Sequence, residues 1–312
     1  MGKLAKASFL CASALSFALA LAPRPARASA CCGGGHGLGQ RLGPLERASI
    51  GASLRFDGRF GSHRADARFA PIPAGDLDTE SRVELSWLVK PVSRLQLGLT
   101  IPALLNARRL GDFGGVGGGL GDIVFSGRYD LVPLGDPGAV PPIALTAAIT
   151  LPTGRAAADA RDPLAADATG LGAAELRPGF VVEKIFADTV STTFAASVGL
   201  RTSFSTAGGD RVQLGPRYRL IAAAGPVFPS GLSLAAGLVH EGEPAPEVGG
   251  VVAGDASRRR TAALAFGAYD IHPRWTALAS LEMDLPIPGL SKNEPARAGI
   301  AVGLRHVWET HD

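Results

Sequence analysis

The chain has 312 residues, of which 19% are charged, and a formal net charge of +3 at pH 7. The basic excess lies in the first thirty residues, which hold Lys3, Lys6, Arg24 and Arg27 and no acidic residue, so 27 basic residues face 28 acidic ones in the remainder. This balance argues against a nucleic-acid-binding domain, because such a domain needs a concentrated basic face.

Residues 1–30 have the three parts of a secretory signal peptide. The basic start is followed by the apolar run Phe9–Leu21 and then by the small residues Ala28–Ala30, which is the order found in such leaders. The apolar run is too short for a spanning helix, which needs about 20 residues. We therefore predict cleavage after Ala30.

The remaining sequence is dominated by the period of two that is typical of β-strands. In one segment, for example, Leu85 and Trp87 alternate with Glu84 and Ser86. Two of the segments, at Leu232 and Ala262, are weaker because small residues fill their second face. The twelve predicted strands are Ile50–Phe56, Val83–Val89, Leu95–Ile101, Ile123–Leu131, Ile143–Leu151, Ala174–Val182, Thr192–Leu200, Leu214–Leu220, Leu232–Leu238, Ala262–Ala268, Trp275–Leu285 and Ala298–Trp308.

The connections between these segments alternate between short and long. Lys90–Ser93 and Phe186–Asp188 are short, whereas Pro102–Gly121 and Pro152–Leu171 are long and rich in glycine or small residues. This rhythm is typical of transmembrane barrels, which have short periplasmic turns and long external loops. We predict an all-β fold, an antiparallel up-and-down β-barrel of about twelve strands, with both termini at the periplasmic end.

A soluble barrel or sandwich would show the same alternation, with the apolar face turned toward a core. Its polar face would be rich in Lys and Glu, whereas the polar face of these strands carries Arg, Ser, Thr, Gly and single acids, and Lys is nearly absent. Such a face favours a lumen in which arginines and carboxylates pair across the bore. The residues expected to line this lumen are Glu84, Arg94, Arg128, Asp130, Glu175, Arg177, Glu183, Arg201, Arg217, Arg219, Glu282, Asp284, Arg297 and Arg305.

Three short segments carry a resemblance to a known family. Gly119–Ile123 leading into Ser126–Tyr129 resembles a "GLGD" motif followed by a strand that ends in Lys or Arg and Tyr, and Ile149–Gly154 resembles an "LPTG" strand end. Gly215–Tyr218 is similar to the first motif. These motifs resemble those of the MetA-pathway of phenol degradation family, and the resemblance covers about residues 80 to 308.

The resemblance implies an outer-membrane channel that helps small hydrophobic or aromatic solutes cross, and that family defines no catalytic residues. With it we expect a flexible periplasmic segment at 31–46, a barrel at 47–308 and a tail at 309–312. The expected partners are outer-membrane lipid, the barrel-assembly machinery and a small-molecule solute, with the chain acting as a monomer. Trp308 ends the last strand, but four residues follow it. Either this tail is tolerated, or insertion uses the strand in another way.

Two features are candidate ligand sites. The run Gly114–Gly121 precedes a strand and matches no phosphate-binding spacing, so we expect it to be a flexible external loop. We expect Gly111–Gly121 to fold inward and narrow the bore. Asp122 should then cap this loop or pair with a charged residue in the lumen. Cys31, Cys32 and His36 form an incomplete metal set without C-x-x-C spacing. Lipid attachment at Cys31 and a plain periplasmic tail are the other interpretations, and no cofactor is expected.

An acyl hydrolase would need a Ser–His pair with an orienting polar group. Only His240 is a candidate, Ser233 and Ser280 are poorly placed to complete it, and His306 near Trp308 is expected at a membrane interface. We therefore expect no enzyme. The function hypotheses that remain are a passive channel and a non-transport envelope barrel that anchors or scaffolds partner proteins.

Overall fold

The computed structural model describes residues 41–133, 140–186, 189–206 and 208–309. The predicted leader, Cys31, Cys32, His36 and residues 310–312 of the tail lie outside these ranges. Twelve long antiparallel strands form the body of the protein, and we number them in chain order. They are β1 Glu46–His63, β2 Leu77–Val92, β3 Leu95–Leu110, β4 Ile123–Val132, β5 Ile143–Leu151, β6 Glu175–Phe186, β7 Val190–Arg201, β8 Arg217–Pro226, β9 Leu232–Glu243, β10 Arg258–His272, β11 Trp275–Asp284 and β12 Glu294–Glu309.

The strands form a closed barrel with up-and-down topology. Each strand pairs with its neighbours in sequence, and β12 returns to pair with β1 from Glu46↔Glu309 to His63↔Glu294. The all-β class and the count of twelve are confirmed, including the two weak strands, which became β9 and β10. Several strands are longer than their predicted ranges, and β1 runs for 18 residues. We call the end at which β1 begins and β12 ends the short-turn end and the opposite end the long-loop end.

The barrel has its apolar side chains outside. Along β2, Leu85 and Trp87 are 43% and 38% exposed, and Phe56 and Val302 are each about half exposed on β1 and β12. On the opposite face of the same strands, Asp57 and similar polar residues are buried. The alternative of a soluble barrel, in which the apolar face packs into a core, is therefore contradicted by this arrangement.

The glycine-rich run is a strand and not a flexible loop. Phe113–Leu120 pairs with the outer half of β3, and the resulting hairpin projects beyond the barrel wall. Phe113 and Val116 are 72% and 73% exposed there. A Cβ at Gly118 would lie 2.2 Å from the carbonyl oxygen of Leu104, so this close pairing requires glycine. The expectation that Gly111–Gly121 folds inward was wrong, because pairing with β3 directs it away from the bore.

Smaller elements decorate the long-loop end. Phe69–Pro71 pairs with the end of β1, and a 3-10 turn spans Ala157–Asp159. A separate four-stranded sheet combines Phe204–Ser205, Arg211–Gln213, Glu247–Val248 and Val251–Val252. In the described ranges, no helix has the length and hydropathy needed to cross a membrane.

Aromatic side chains gather on the outside of the short-turn end. The His306 ring lies edge-on between those of Trp275 and Trp308, at centroid distances of 4.7 and 4.6 Å. The two tryptophans are 41% and 46% exposed. Amphipathic rings in this position are typical of the girdle at a membrane–water boundary.

We predict that a charge on the outer face destabilises the barrel in lipid. Val302→Arg lies near the middle of β12 and should lower the free energy of unfolding by about 2–4 kcal/mol in lipid vesicles, as expected for arginine near the bilayer midplane. Urea titration followed by tryptophan fluorescence measures this difference. Val251→Arg, on the exposed external sheet, is the matched control, and an equal loss in both variants would contradict an outer face in contact with lipid.

Candidate functional site

The barrel encloses a cavity of about 880 Å³ that is bordered by inward-facing side chains from most of its strands. The boundary is mixed. Charged groups predominate on one part of the wall, and small or apolar groups such as Gly98, Ser126, Thr146 and Ala148 form another part. A cavity of this volume is in the range that holds small organic molecules.

The sequence-predicted lumen residues divide into three groups. Five of the fourteen are buried in the wall without bordering the cavity: Asp130, Glu175, Glu183, Arg201 and Arg305. Arg94 lies exposed in the two-residue turn between β2 and β3. The eight that border the cavity are Glu84, Arg128, Arg177, Arg217, Arg219, Glu282, Asp284 and Arg297.

Several cavity residues were missed by sequence reasoning. Arg55 and Asp57 stand on the polar face of β1, where parity alone was sufficient to include them. Glu80, Glu241 and Arg260 border the cavity from parts of β2, β9 and β10 that extend beyond the predicted strand ends. Extending the period of two past those ends would have identified all three, because the alternation of inward-facing and outward-facing residues continues up to the loops.

The ion pairs run along the wall. Arg55–Asp57 at 2.5 Å and Arg128–Asp130 at 2.8 Å join residues two apart on one strand, which share a face because side chains alternate. Arg260 pairs with Asp284 of the adjacent strand at 2.7 Å and also with Glu282. The expectation of pairs across the bore therefore differs from the structure, since barrel-strand residues pair within one strand, with an adjacent strand or with the next strand but one.

Several of the ion pairs pass over an intervening strand. Arg55 on β1 reaches Glu282 on β11 at 3.3 Å, although β12 lies between them. The register places Gly299 of β12 opposite both Asp57 and Glu282. A Cβ at Gly299 would lie 2.1 Å from the carboxylate of Asp57, so glycine here leaves room for the charged group.

The segment before β1 enters the short-turn end of the barrel. Arg41 and Leu42 are buried, and Arg41 Nη1 lies 2.5 Å from a carboxylate oxygen of Glu183. The Leu42 amide donates to Gln96 Oε1 at 2.7 Å, and Arg305 donates to the Arg41 carbonyl at 2.9 Å. These contacts hold residues 41–43, at the end of the predicted 31–46 segment, inside the opening.

We predict that releasing this segment enlarges the opening. The double variant Arg41→Ser/Leu42→Ser removes the ion pair to Glu183 and the buried apolar contact, so single-channel conductance in a planar bilayer should rise. The exposed Arg47, at the start of β1, provides Arg47→Ser as control. Unchanged conductance in the double variant would show that residues 41–43 do not restrict the bore.

The connection between β5 and β6 folds over the long-loop end. Asn106 Nδ2 donates to the carbonyls of Ala166 and Ala168 at 2.9 and 2.8 Å. Arg108 Nη1 donates to the carbonyls of Leu164 and Ala165, both at 2.8 Å. This connection, and not the glycine run, is therefore the segment that borders the cavity from outside, through Ala157 and Ala168–Leu171.

The glycine run provides the surface on which this connection lies. Cβ atoms at Gly115 and Gly117 would come within 2.3 Å of Asp162 and 2.7 Å of Asp167, respectively. Asp122 accepts hydrogen bonds from the amides of Gly154 at 2.9 Å and Leu171 at 2.8 Å. Asp122 was expected to cap the glycine run or to pair in the lumen, whereas its carboxylate binds both ends of the connection between β5 and β6.

Asp167 organises the interior of the same connection. Its carboxylate accepts hydrogen bonds from the amides of Arg161 and Asp162 at 3.1 and 3.2 Å and pairs with Arg155. The bond from the Arg161 amide is the main cause that lowers the pKa of Asp167 to about 2, with help from Asp162 and Arg155. These bonds stabilise the ionised form, which is the form present at neutral pH.

This gives a pH prediction. Because the folded pKa lies below the ordinary value of 3.8, ionised Asp167 stabilises the connection above about pH 4, and that stabilisation is lost as the pH falls toward 2. Hydrogen exchange of the Arg161 and Asp162 amides, corrected for intrinsic rates, should accelerate over this range. Asp167→Asn should exchange fast already at pH 6, and the exposed Asp159→Asn serves as control; protected amides in Asp167→Asn would refute the assignment.

The candidate hydrolase residues do not meet. On β9, Ser233 faces inward at the short-turn end, whereas His240 faces outward and contacts Tyr218 and Thr261. Two side chains seven positions apart on one strand lie on opposite faces, so they cannot form a catalytic pair. Within the part of the chain that is described, no three His, Cys, Asp or Glu side chains are grouped as a metal site.

No family model and no curated protein matches this chain. Among solved structures, it is similar to the COG4313 outer membrane channel from Pseudomonas putida F1, with 15% identity, a TM-score of 0.71 and coverage of 86% of this chain and 97% of that chain. It is also similar to the beta domain of the Bordetella autotransporter BrkA, with 11% identity, a TM-score of 0.52 and coverage of 84% and 100%. These likenesses show the fold, which is that of an outer-membrane β-barrel.

Proposed function

We propose that this chain is an outer-membrane channel that lets small hydrophobic or aromatic solutes pass passively through a polar, charge-paired lumen. The observation that carries the proposal is the inverted distribution of side chains. A closed barrel presents apolar residues outside and surrounds an ion-paired cavity of about 880 Å³. Ion pairs along the wall leave the interior open to solutes while neutralising the buried charges.

The solute class rests on the motif resemblance to the MetA-pathway family. The two clearer motif segments contact each other at the long-loop end: Thr153 donates to the Gly121 carbonyl at 2.7 Å, and the Gly154 amide donates to Asp122. The "GLGD" and "LPTG" segments thus build one cap on the connection that borders the cavity. This contact gives the two motifs a common structural role and supports treating them as one signature.

The proposal includes the location and partners expected from the sequence. The chain is exported, assembled by the barrel-assembly machinery and held in outer-membrane lipid as a monomer. The aromatic cluster of Trp275, His306 and Trp308 then marks the periplasmic boundary, and the long-loop end faces outside. The channel performs no covalent chemistry and needs no cofactor.

Reconstitution of residues 31–312 into planar bilayers tests the channel. We expect discrete conductance steps that are smaller than those of porins with 16–18 strands, because bore width grows with strand number. Benzyl alcohol flux into vesicles measures solute passage, with empty vesicles as control. A correctly folded barrel that conducts no ions and passes no solute would refute the channel.

A scaffold or anchor remains the second candidate. The observation that favours it is the exposed apolar hairpin, in which Phe113 and Val116 project beyond the barrel. Phe113→Ser/Val116→Ser distinguishes the two functions. A scaffold that uses this hairpin would lose co-purifying envelope proteins in this variant, whereas a channel would keep its conductance.

A further inference from the structure

Within the ion pairs around the cavity, the carboxylate is deep in the wall and the guanidinium is nearer to the open space. The Arg177 side chain is 31% exposed and that of its partner Glu175 only 1%; for Arg217 and Glu241 the values are 36% and 4%. Arg82, Arg260 and Arg297 are likewise more exposed than the acids they pair with.

The cause is the difference in side-chain length, since an arginine on the inner face extends further into the bore than a glutamate or aspartate beside it. Ten arginines and eight carboxylates border the cavity, so the count alone predicts a nearly neutral surface. The difference in exposure makes the accessible surface more basic than this count suggests, because a solute inside the cavity meets guanidinium groups before it meets the carboxylates behind them.

Arg177 and Arg217 are the clearest example. Arg217 pairs in register with Gly199 of β7, and the pairs Leu176↔Leu200 and Gly179↔Ser197 bring Arg177 to the same level on the other side of that strand. Two strand spacings separate the two arginine backbones by about 10 Å. A Cβ at Gly199 would lie 2.8 Å from the carboxylate carbon of Glu175, so glycine admits this carboxylate beneath the arginine.

Both arginines keep donors available for a ligand. Each directs one terminal nitrogen, Nη2, to its carboxylate partner. A guanidinium has five N–H donors in a planar fork, and this geometry matches a carboxylate. Arg219, two residues further along β8, borders the same space.

A row of apolar side chains lies further along the same three strands. Val181, Ala195 and Ile221 border the cavity and belong to a packed cluster that also contains Val239 and Phe266. The register pairs Val181 with Ala195 and Ala195 with Ile221, so they form a row across β6, β7 and β8. This row lies four residues, or about 13 Å along the strands, from Arg177 and Arg217. Arg217 extends toward it, since its partner Glu241 is in register with Arg219, two residues closer to Ile221.

We propose that the cavity binds small monocarboxylates with an apolar body. The carboxylate is held by Arg177 and Arg217, and the body lies against Val181, Ala195 and Ile221. The inference rests on the proposed channel and narrows its solutes from hydrophobic molecules in general to amphiphilic anions. A site with two donors and an apolar face binds such an anion reversibly, which suits passage through a channel.

Benzoate block of the ion current in planar bilayers tests the site. We expect benzoate to reduce the current at lower concentration than acetate, which lacks the apolar body, or benzyl alcohol, which lacks the charge. Arg177→Gln and Arg217→Gln should each weaken benzoate block on the order of tenfold, as for loss of a hydrogen bond to a charged group. Arg68→Gln, on the exposed connection after β1, should leave the block unchanged.

Two further variants separate the elements of the site. Glu175→Gln/Arg177→Gln keeps the net charge and avoids an unpaired buried carboxylate; it should lose benzoate block as Arg177→Gln does, because exposure and not charge count matters. Ile221→Ser should weaken the block by benzoate and not that by acetate. Single-channel conductance and the urea unfolding midpoint show that each variant is folded and open.

The outcomes are distinguishable from failure of the channel itself. A folded barrel without conductance refutes the proposed function. A conducting barrel in which benzoate does not block, or blocks Arg177→Gln and Arg217→Gln as well as the wild-type chain, overturns the carboxylate site and leaves the channel intact. Equal block by benzyl alcohol and benzoate would also overturn it, because the arginines would then play no part.

Discussion

The pairing of β12 with β1 is the interaction on which the other features depend. Once the sheet closes, each barrel strand has hydrogen-bonded neighbours on both sides. A closed sheet satisfies its backbone groups internally, so its outer face needs no water and can be apolar. The outward valines, leucines and aromatics of this chain are compatible with a folded state only because of that closure.

Closure also determines what the interior has to do. A chain whose apolar residues face outward has few left to fill a core, and the space inside receives the other half of each strand. Arginines and carboxylates are costly to bury alone, and they become tolerable when paired at hydrogen-bonding distance. Residues two apart on one strand, or on strands no more than two positions apart in the sheet, meet this requirement, which is why the pairs follow the wall and leave about 880 Å³ open.

Different segments of the chain border the two ends of the bore. At the short-turn end, residues 41–43 occupy part of the opening through contacts to Glu183, Gln96 and Arg305. At the long-loop end, the connection between β5 and β6 lies on a glycine-rich strand, whose glycines have no side chains to hold it away. Each end of the bore is therefore bordered by a segment that a few polar contacts attach to the barrel.

Local alternation along the amino-acid sequence was enough to specify the strand period, the number of strands, the rhythm of turns and loops, and the parity of most charged residues that border the cavity. Three features became visible only in the folded chain: Arg41 lies inside the barrel, Phe113–Leu120 pairs with β3, and Asp167 and Asn106 hold the outer connection. Each of these depends on tertiary contacts or on side-chain hydrogen bonds, and a period of two contains no information on such contacts. The same reason applies to exposure: parity placed Arg177 and Glu175 on one face, and only the folded chain shows the Glu175 carboxylate buried at Gly199 with Arg177 more exposed.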